Sequence, residues 1–186
     1  MHMRVLLLAI GLFALGACAQ QRLPASKDWP VQRLDSSPEQ AAAQVDAPNT
    51  VAMCGMRFVR PAISAAPQGT PPNVAAFLGQ WGDCTSKWIY TRSPDIYDGI
   101  PYALYVTDVQ PDGRAKVLSV QGKQPLWQVF LPWVKECDAQ IKGDYISYTV
   151  VFASGSSYAY ELHRVGDHLE GVNKNYHLAI SSLAKK

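Results

Sequence analysis

Beyond residue 86 the chain breaks into short segments of alternating apolar and polar side chains, with little sign of helical spacing. Strands are predicted over 87–91, 102–109, 114–120, 127–130, 136–141, 145–152, 157–163, 169–172 and 176–183. Between them lie tight-turn signals: Pro111-Asp112-Gly113, Gln121-Gly122, Lys142-Gly143-Asp144, Ser154-Gly155-Ser156 and Gly166-Asp167. Such residues either accept positive φ or bond back to their own backbone, so the strands they join run antiparallel. In 145–152 the row Ile146, Tyr148, Val150 and Phe152 is apolar, while Tyr145, Ser147, Thr149 and Val151 are mixed, so the first row faces the core. A long sheet with one apolar face has to curl, and closure removes its edges. The expected fold is all-β: a small antiparallel up-and-down barrel of about eight strands.

The residues before this region pattern differently. An apolar run, Val5 to Leu15, follows Arg4; it is too short to span a bilayer and matches the core of an export signal. Residues 18–50 are rich in Gln, Ser, Ala, Pro and Asp, which bury too little surface to offset chain entropy. They read as a disordered tether with at most one short helix, placed by the N-cap and capping-box pattern Ser37-Pro38-Glu39-Gln40 and running to Val45. Residues 51–75 read as an extended, proline-rich docking segment, with 51–59 its most apolar part; residues 76–186 form the barrel domain. One helical turn is predicted after Asn73, before Gly79.

At the end of the apolar run, Leu15-Gly16-Ala17-Cys18 resembles the lipobox of bacterial lipoproteins. The resemblance implies removal of residues 1–17, lipidation of Cys18 with diacylglycerol and palmitate, and attachment to a membrane through lipid. With Ala19 and Gln20 following, it further implies the periplasmic face of the outer membrane. Cleavage after Ala19 is the competing reading, because Ala17-Cys18-Ala19 also has the small-x-small form. A second resemblance rests on Gly79-Gln80-Trp81 followed by consecutive hairpins, and on Tyr158-Ala159-Tyr160-Glu161-Leu162 with Leu169-Glu170-Gly171. These segments resemble the start and the closing hairpin of calycin barrels, the lipocalin and avidin group. The resemblance implies that Trp81 plugs one end of the barrel while the other end receives a ligand. Lys185 is the nearest basic residue to cover Trp81.

Charge narrows the partners. The formal charge is 17 − 15 = +2, and loss of 1–17 removes Arg4 alone, leaving 16 − 15 = +1. With no basic cluster longer than Lys185-Lys186, no nucleic-acid partner is expected. Cys54, Cys84 and Cys137 remain after export, which allows three single pairings in an oxidising compartment. Cys84 with Cys137 is the expected disulfide, since both lie in the barrel region; three buried thiols are the alternative.

Catalytic patterns are sparse. Ala153-Ser154-Gly155-Ser156-Ser157 reads as a hairpin turn, and the sequence has no glycine-rich phosphate loop, His-Glu-x-x-His or Cys-x-x-Cys. His163, Asp167, His168 and His177 could gather at one end of the sheet, but their spacing matches no ligand pattern, so no metal or other cofactor is expected. The aromatics carry more: Trp88, Tyr105, Trp127 and Tyr148 are the candidate ligand-binding residues. Asp95, Asp98 and Gly99 lie in the longest insertion, a candidate lid or partner-contact loop. The expectation is thus a non-enzymatic lipoprotein whose barrel binds a small apolar, amphipathic or envelope-derived glycan ligand. The alternative is a protein-binding module: a protease or lysozyme inhibitor, or an accessory subunit of an envelope complex.

Overall fold

The computed structural model describes residues 23–34, 49–90, 99–123, 131–175 and 178–186. Cys18, the helix expected near residues 37–45, the strand expected at 127–130 with Trp127, Asp95, Asp98 and His177 lie outside the described residues.

The described chain carries thirteen strands and one short helix. In chain order the strands are β1 (Lys27–Asp28), β2 (Val31–Arg33), β3 (Thr50–Met53), β4 (Met56–Val59), β5 (Gly79–Trp81), β6 (Lys87–Tyr90) and β7 (Ile100–Val109). They continue as β8 (Arg114–Gln121), β9 (Trp133–Lys142), β10 (Tyr145–Val151), β11 (Ser157–Val165), β12 (His168–Asn173) and β13 (Leu178–Ala184). The helix, α1, is Pro72–Ala75; Pro72 enters its first turn without losing an intrahelical bond.

Strands β7 to β13 pair antiparallel with their sequence neighbours, and β13 pairs with β6, which pairs with β7. Strand β5 also pairs with β7, from Gly79↔Val106 to Trp81↔Leu104, and Trp81 bridges to Lys185 beyond β13. Together β5 and β6 therefore act as one broken strand, and the wall closes as an eight-stranded antiparallel barrel. The break at residues 82–86 contains Gly82 and Cys84, both at positive φ.

Period-two alternation divides the apolar residues between two cores. Tyr102, Leu104 and Val106 of β7, Val117 of β8 and Ile146, Tyr148 and Val150 of β10 line the interior. Ala103, Tyr105, Leu118, Val120 and Val134 face outward and form a second core with Met56 and Phe58. Residues 51–59, expected to be an extended docked segment, form the hairpin β3–β4, and β2 adds to its far edge.

Residues 23–34, placed in the tether by composition, instead run along the barrel. Strand β1 pairs with the N-terminal half of β9, Lys27↔Glu136 and Asp28↔Lys135, while β10 pairs with β9 only from Ala139 to Lys142. Ser26 bridges to the other side: its N–H donates to Val151 O (2.9 Å), and its Oγ accepts from Val151 N–H (2.9 Å). The segment thus wedges between diverging β9 and β10 and satisfies backbone groups that the split would orphan.

The disulfide joins Cys54 to Cys84, and Cys137 is a free, buried cysteine, so the expected Cys84–Cys137 pair is corrected. The reason is the alternation of the wall. Cys84 packs against the outer core beneath the β3–β4 hairpin, whereas Cys137 belongs to the interior core and lies under Ser26. Sharing one domain did not bring the two thiols to one face.

Candidate functional site

The two ends of the barrel differ in kind. At one end gather α1, the turns at 110–113, 142–144 and 166–167, and the C-terminus. Trp81 is fully buried there, and its Nε1–H donates to Phe77 O (2.7 Å). Lys185 covers it: Nζ lies 5.1 Å from the ring centroid and donates to Ala76 O (2.8 Å). Burial, with Arg164 nearby, lowers the pKa of Lys185. Arg164 closes the remaining side, lying 5.7 Å from the Phe77 ring centroid and donating to Asp144 Oδ1 (2.9 Å). Asn73 of α1 ties down the adjacent turn by donating to Gly143 O (3.1 Å).

The middle of the barrel is filled. Trp88, Tyr102, Tyr148 and Tyr160 pack ring against ring: Tyr148 stacks on Tyr160 at 5.0 Å, Tyr102 on Tyr160 at 5.9 Å, and Trp88 meets Tyr102 edge-on at 5.2 Å. The hydroxyl of Tyr102 hydrogen-bonds Tyr148 Oη and Ser119 Oγ, and Tyr160 Oη donates to Gln121 Oε1 (3.3 Å). Removal from water raises the Tyr102 and Tyr160 pKa values well above the usual phenol, so both stay neutral donors. Two of the expected ligand residues, Trp88 and Tyr148, are therefore members of this packed layer. Tyr105 faces the other way, into the outer core, where it packs on Phe58 edge-on at 6.5 Å and donates to Met53 Sδ (3.7 Å). Trp127 lies outside the described residues.

At the opposite end an open cup of about 350 Å3 remains above the tyrosine layer. Trp133 and Lys135 reach it from β9, Phe152 and Tyr158 from either side of the β10–β11 turn. Leu131, Asp28 and Arg33 complete the rim. Phe152 is met edge-on by Trp133 at 5.7 Å and by Tyr158 at 5.2 Å, and the ammonium of Lys135 sits 4.9 Å from its centroid. Only 7 % of the Lys135 side chain is exposed, yet its partner Asp28, at 2.6 Å, is 81 % exposed. The indole N–H of Trp133 is buried with no acceptor among the described residues.

Of these residues, Phe152 and Tyr158 stood among the apolar or aromatic positions of the sequence, but Lys135 did not. A lysine one residue before a predicted strand looks like solvent-facing punctuation, and only the early start of β9 turns it inward. Of the histidine cluster, His163 stacks on Tyr145 (4.5 Å) and pairs across strands with Glu170, while His168 lies beside Asp167 (3.6 Å) and Glu170 (3.3 Å); His177 is outside the described residues. Among the described residues no group of three His, Cys, Asp or Glu is placed to hold a metal ion.

A second groove, of about 720 Å3, runs beneath Leu23, Ala25 and Lys27 along the split between β9 and β10 and reaches Cys137. Burial pushes the Cys137 thiol up to about 11, against a lowering contribution from its contact with Ser26 Oγ (3.4 Å), so it is protonated and inert at neutral pH. A comparison with known protein families finds no matching family model, and no curated protein or solved structure matches the chain. The described barrel is plugged at one end, packed through its middle by the tyrosine layer and open at its aromatic mouth, with the larger groove along the β9–β10 split at its side.

Proposed function

We propose that this protein is a lipid-anchored component of the bacterial envelope, attached through Cys18 at the periplasmic face of the outer membrane, that binds a small amphipathic molecule at the barrel mouth. The observation that carries the reading is the cup formed by Trp133, Phe152 and Tyr158 around a buried lysine, which joins apolar walls to one fixed charge. Binding is non-covalent and involves no catalytic step. The tyrosine layer below makes the site shallow, so the ligand is a ring-sized group, such as an aromatic acid or a sugar-like fragment of the envelope, rather than a long acyl chain. Native mass spectrometry of the lipidated protein taken from its own envelope tests this. The expected result is a co-bound small molecule that is lost on Phe152→Ala; a clean apo mass in both forms contradicts it.

A second reading, a protein-binding module, is favoured by the sheet β2–β4–β3. Its outer strands have no further partner among the described residues, and Val31, Leu34, Val59 and Ile63 on and beside it are at least one-third exposed. Cross-linking in intact cells that recovers one protein through this face, with an empty mouth, would support it over the first.

A further inference from the structure

Resting on the mouth site proposed above, we infer that its ligand is an anion carrying a planar apolar body, and that Asp28 occupies the anion's place in the free protein. A buried ammonium needs an opposite charge, because the cost of desolvating it is otherwise unmet. The charge it finds does not come from the barrel. It comes from an exposed carboxylate on a two-residue strand near the start of the described chain, at 2.6 Å. Nothing in the closed wall requires Lys135 to be a lysine: the neighbouring inward positions of β9 are Trp133 and Cys137, and an apolar side chain would fill the space without a charge to satisfy.

The other polar groups of this end point the same way. Trp133 Nε1, Gln121 Nε2 and Trp88 Nε1 are buried donors without an acceptor among the described residues. All three belong to the open half of the barrel, at the cup or in the layer directly beneath it. Against these three donors stands one unpaired buried acceptor among the described residues, Gln32 Oε1, which lies on β2 beside Arg33 and does not line the cup. Arg33 adds a second cation at the rim, so among the described residues the cup presents Lys135 and Arg33 against one carboxylate, Asp28. An excess of donors and positive charge over acceptors complements a carboxylate or a similar oxyanion. The Phe152, Tyr158 and Trp133 faces complement its apolar ring.

Competition follows from geometry. A ligand carboxylate that reaches Lys135 takes the position held by Asp28 Oδ1, so Asp28 turns into the solvent that already surrounds most of it. Asp28 also pairs through its backbone with β9, hence the N-terminal strap need not detach for the carboxylate to yield.

Calorimetric titration of the full chain in neutral dodecyl maltoside micelles, with a micelle blank subtracted, tests this using 2-naphthoate and its uncharged counterpart 2-naphthylmethanol. The wild type is expected to prefer naphthoate, and Asp28→Asn, which keeps the backbone pairing of β1 and whose folding is checked by circular dichroism, to tighten naphthoate about tenfold, equivalent to about 1.4 kcal/mol. Lys135→Met is expected to bind the two probes alike, with circular dichroism confirming that it folds. If both probes bind the wild type equally and Asp28→Asn changes neither, the inference fails while the mouth site stands. If neither probe binds any variant, the mouth site fails with it.

Discussion

Cys54 and Cys84 both hold positive φ, at 53° and 70°, a region that a side chain other than glycine occupies at a cost. Their disulfide, spanning 30 residues, fixes both corners and pins the β3–β4 hairpin over the barrel break. Replacing both by Ser is expected to cost about 3 to 4 kcal/mol, measured by urea denaturation. An unchanged midpoint would show that the outer core holds the hairpin alone. Cys137 should resist thiol reagents at pH 8 in the native protein and react only after denaturation, since burial holds its pKa near 11. Trp81, buried between Phe77 and Lys185, carries the plugged end, and Trp81→Ala is expected to lose about 3 to 5 kcal/mol. These three cysteines show where residue reasoning stopped. Each was legible as a half-cystine or a buried thiol, but the choice of partner depends on which face of the wall each occupies, and that depends on register.

At the scale of elements, the alternating pattern located the strands of the barrel because tight turns punctuate them so regularly. Strand β9 begins at Trp133 rather than near Glu136, since Lys135 interrupts the apolar row, and β1 and β2 were hidden because two or three residues on either side of Pro30 carry no period. The break between β5 and β6 is shaped by Gly82: φ is +72° and an added Cβ would lie 2.6 Å from Leu183 Cδ2. Gly82→Ala should therefore cost more than about 1 kcal/mol. Beside it the C-terminus is latched by Lys186, whose Nζ contacts Asp83 Oδ2 at 2.7 Å. That hydrogen bond, with those from Thr85, lowers the Asp83 pKa from 3.8 to about 2. A carboxylate depressed by folding contributes stability above its unfolded pKa, and the contribution is lost as pH falls from about 4 through about 2. The group is largely solvated, so the effect is small and screened by salt. Asp83→Asn should flatten the stability profile in that window at low ionic strength; a profile parallel to wild type would leave the latch without energetic weight.

For the whole molecule, the sequence located the closed end better than the open one. Gly79-Gln80-Trp81 and Lys185 mark the plug, and the place opposite follows from the barrel topology. The faces taken by Trp88, Tyr105 and Tyr148 were not legible, because an aromatic in a strand has the same pattern whether it fills the lumen, as Trp88 and Tyr148 do, or faces an outer core, as Tyr105 does. The mouth is assembled from β9, the β10–β11 turn and the N-terminal strap, elements whose proximity no local pattern encodes. The central claim is that the lumen is structural and that ligand is held at the mouth. It is tested most directly by following the indole N–H resonances of the five tryptophans while 2-naphthoate is added. The account predicts that Trp133 shifts progressively while Trp81 and Trp88 stay in place; movement of Trp88 with Trp133 unchanged would put the ligand in the lumen and contradict it.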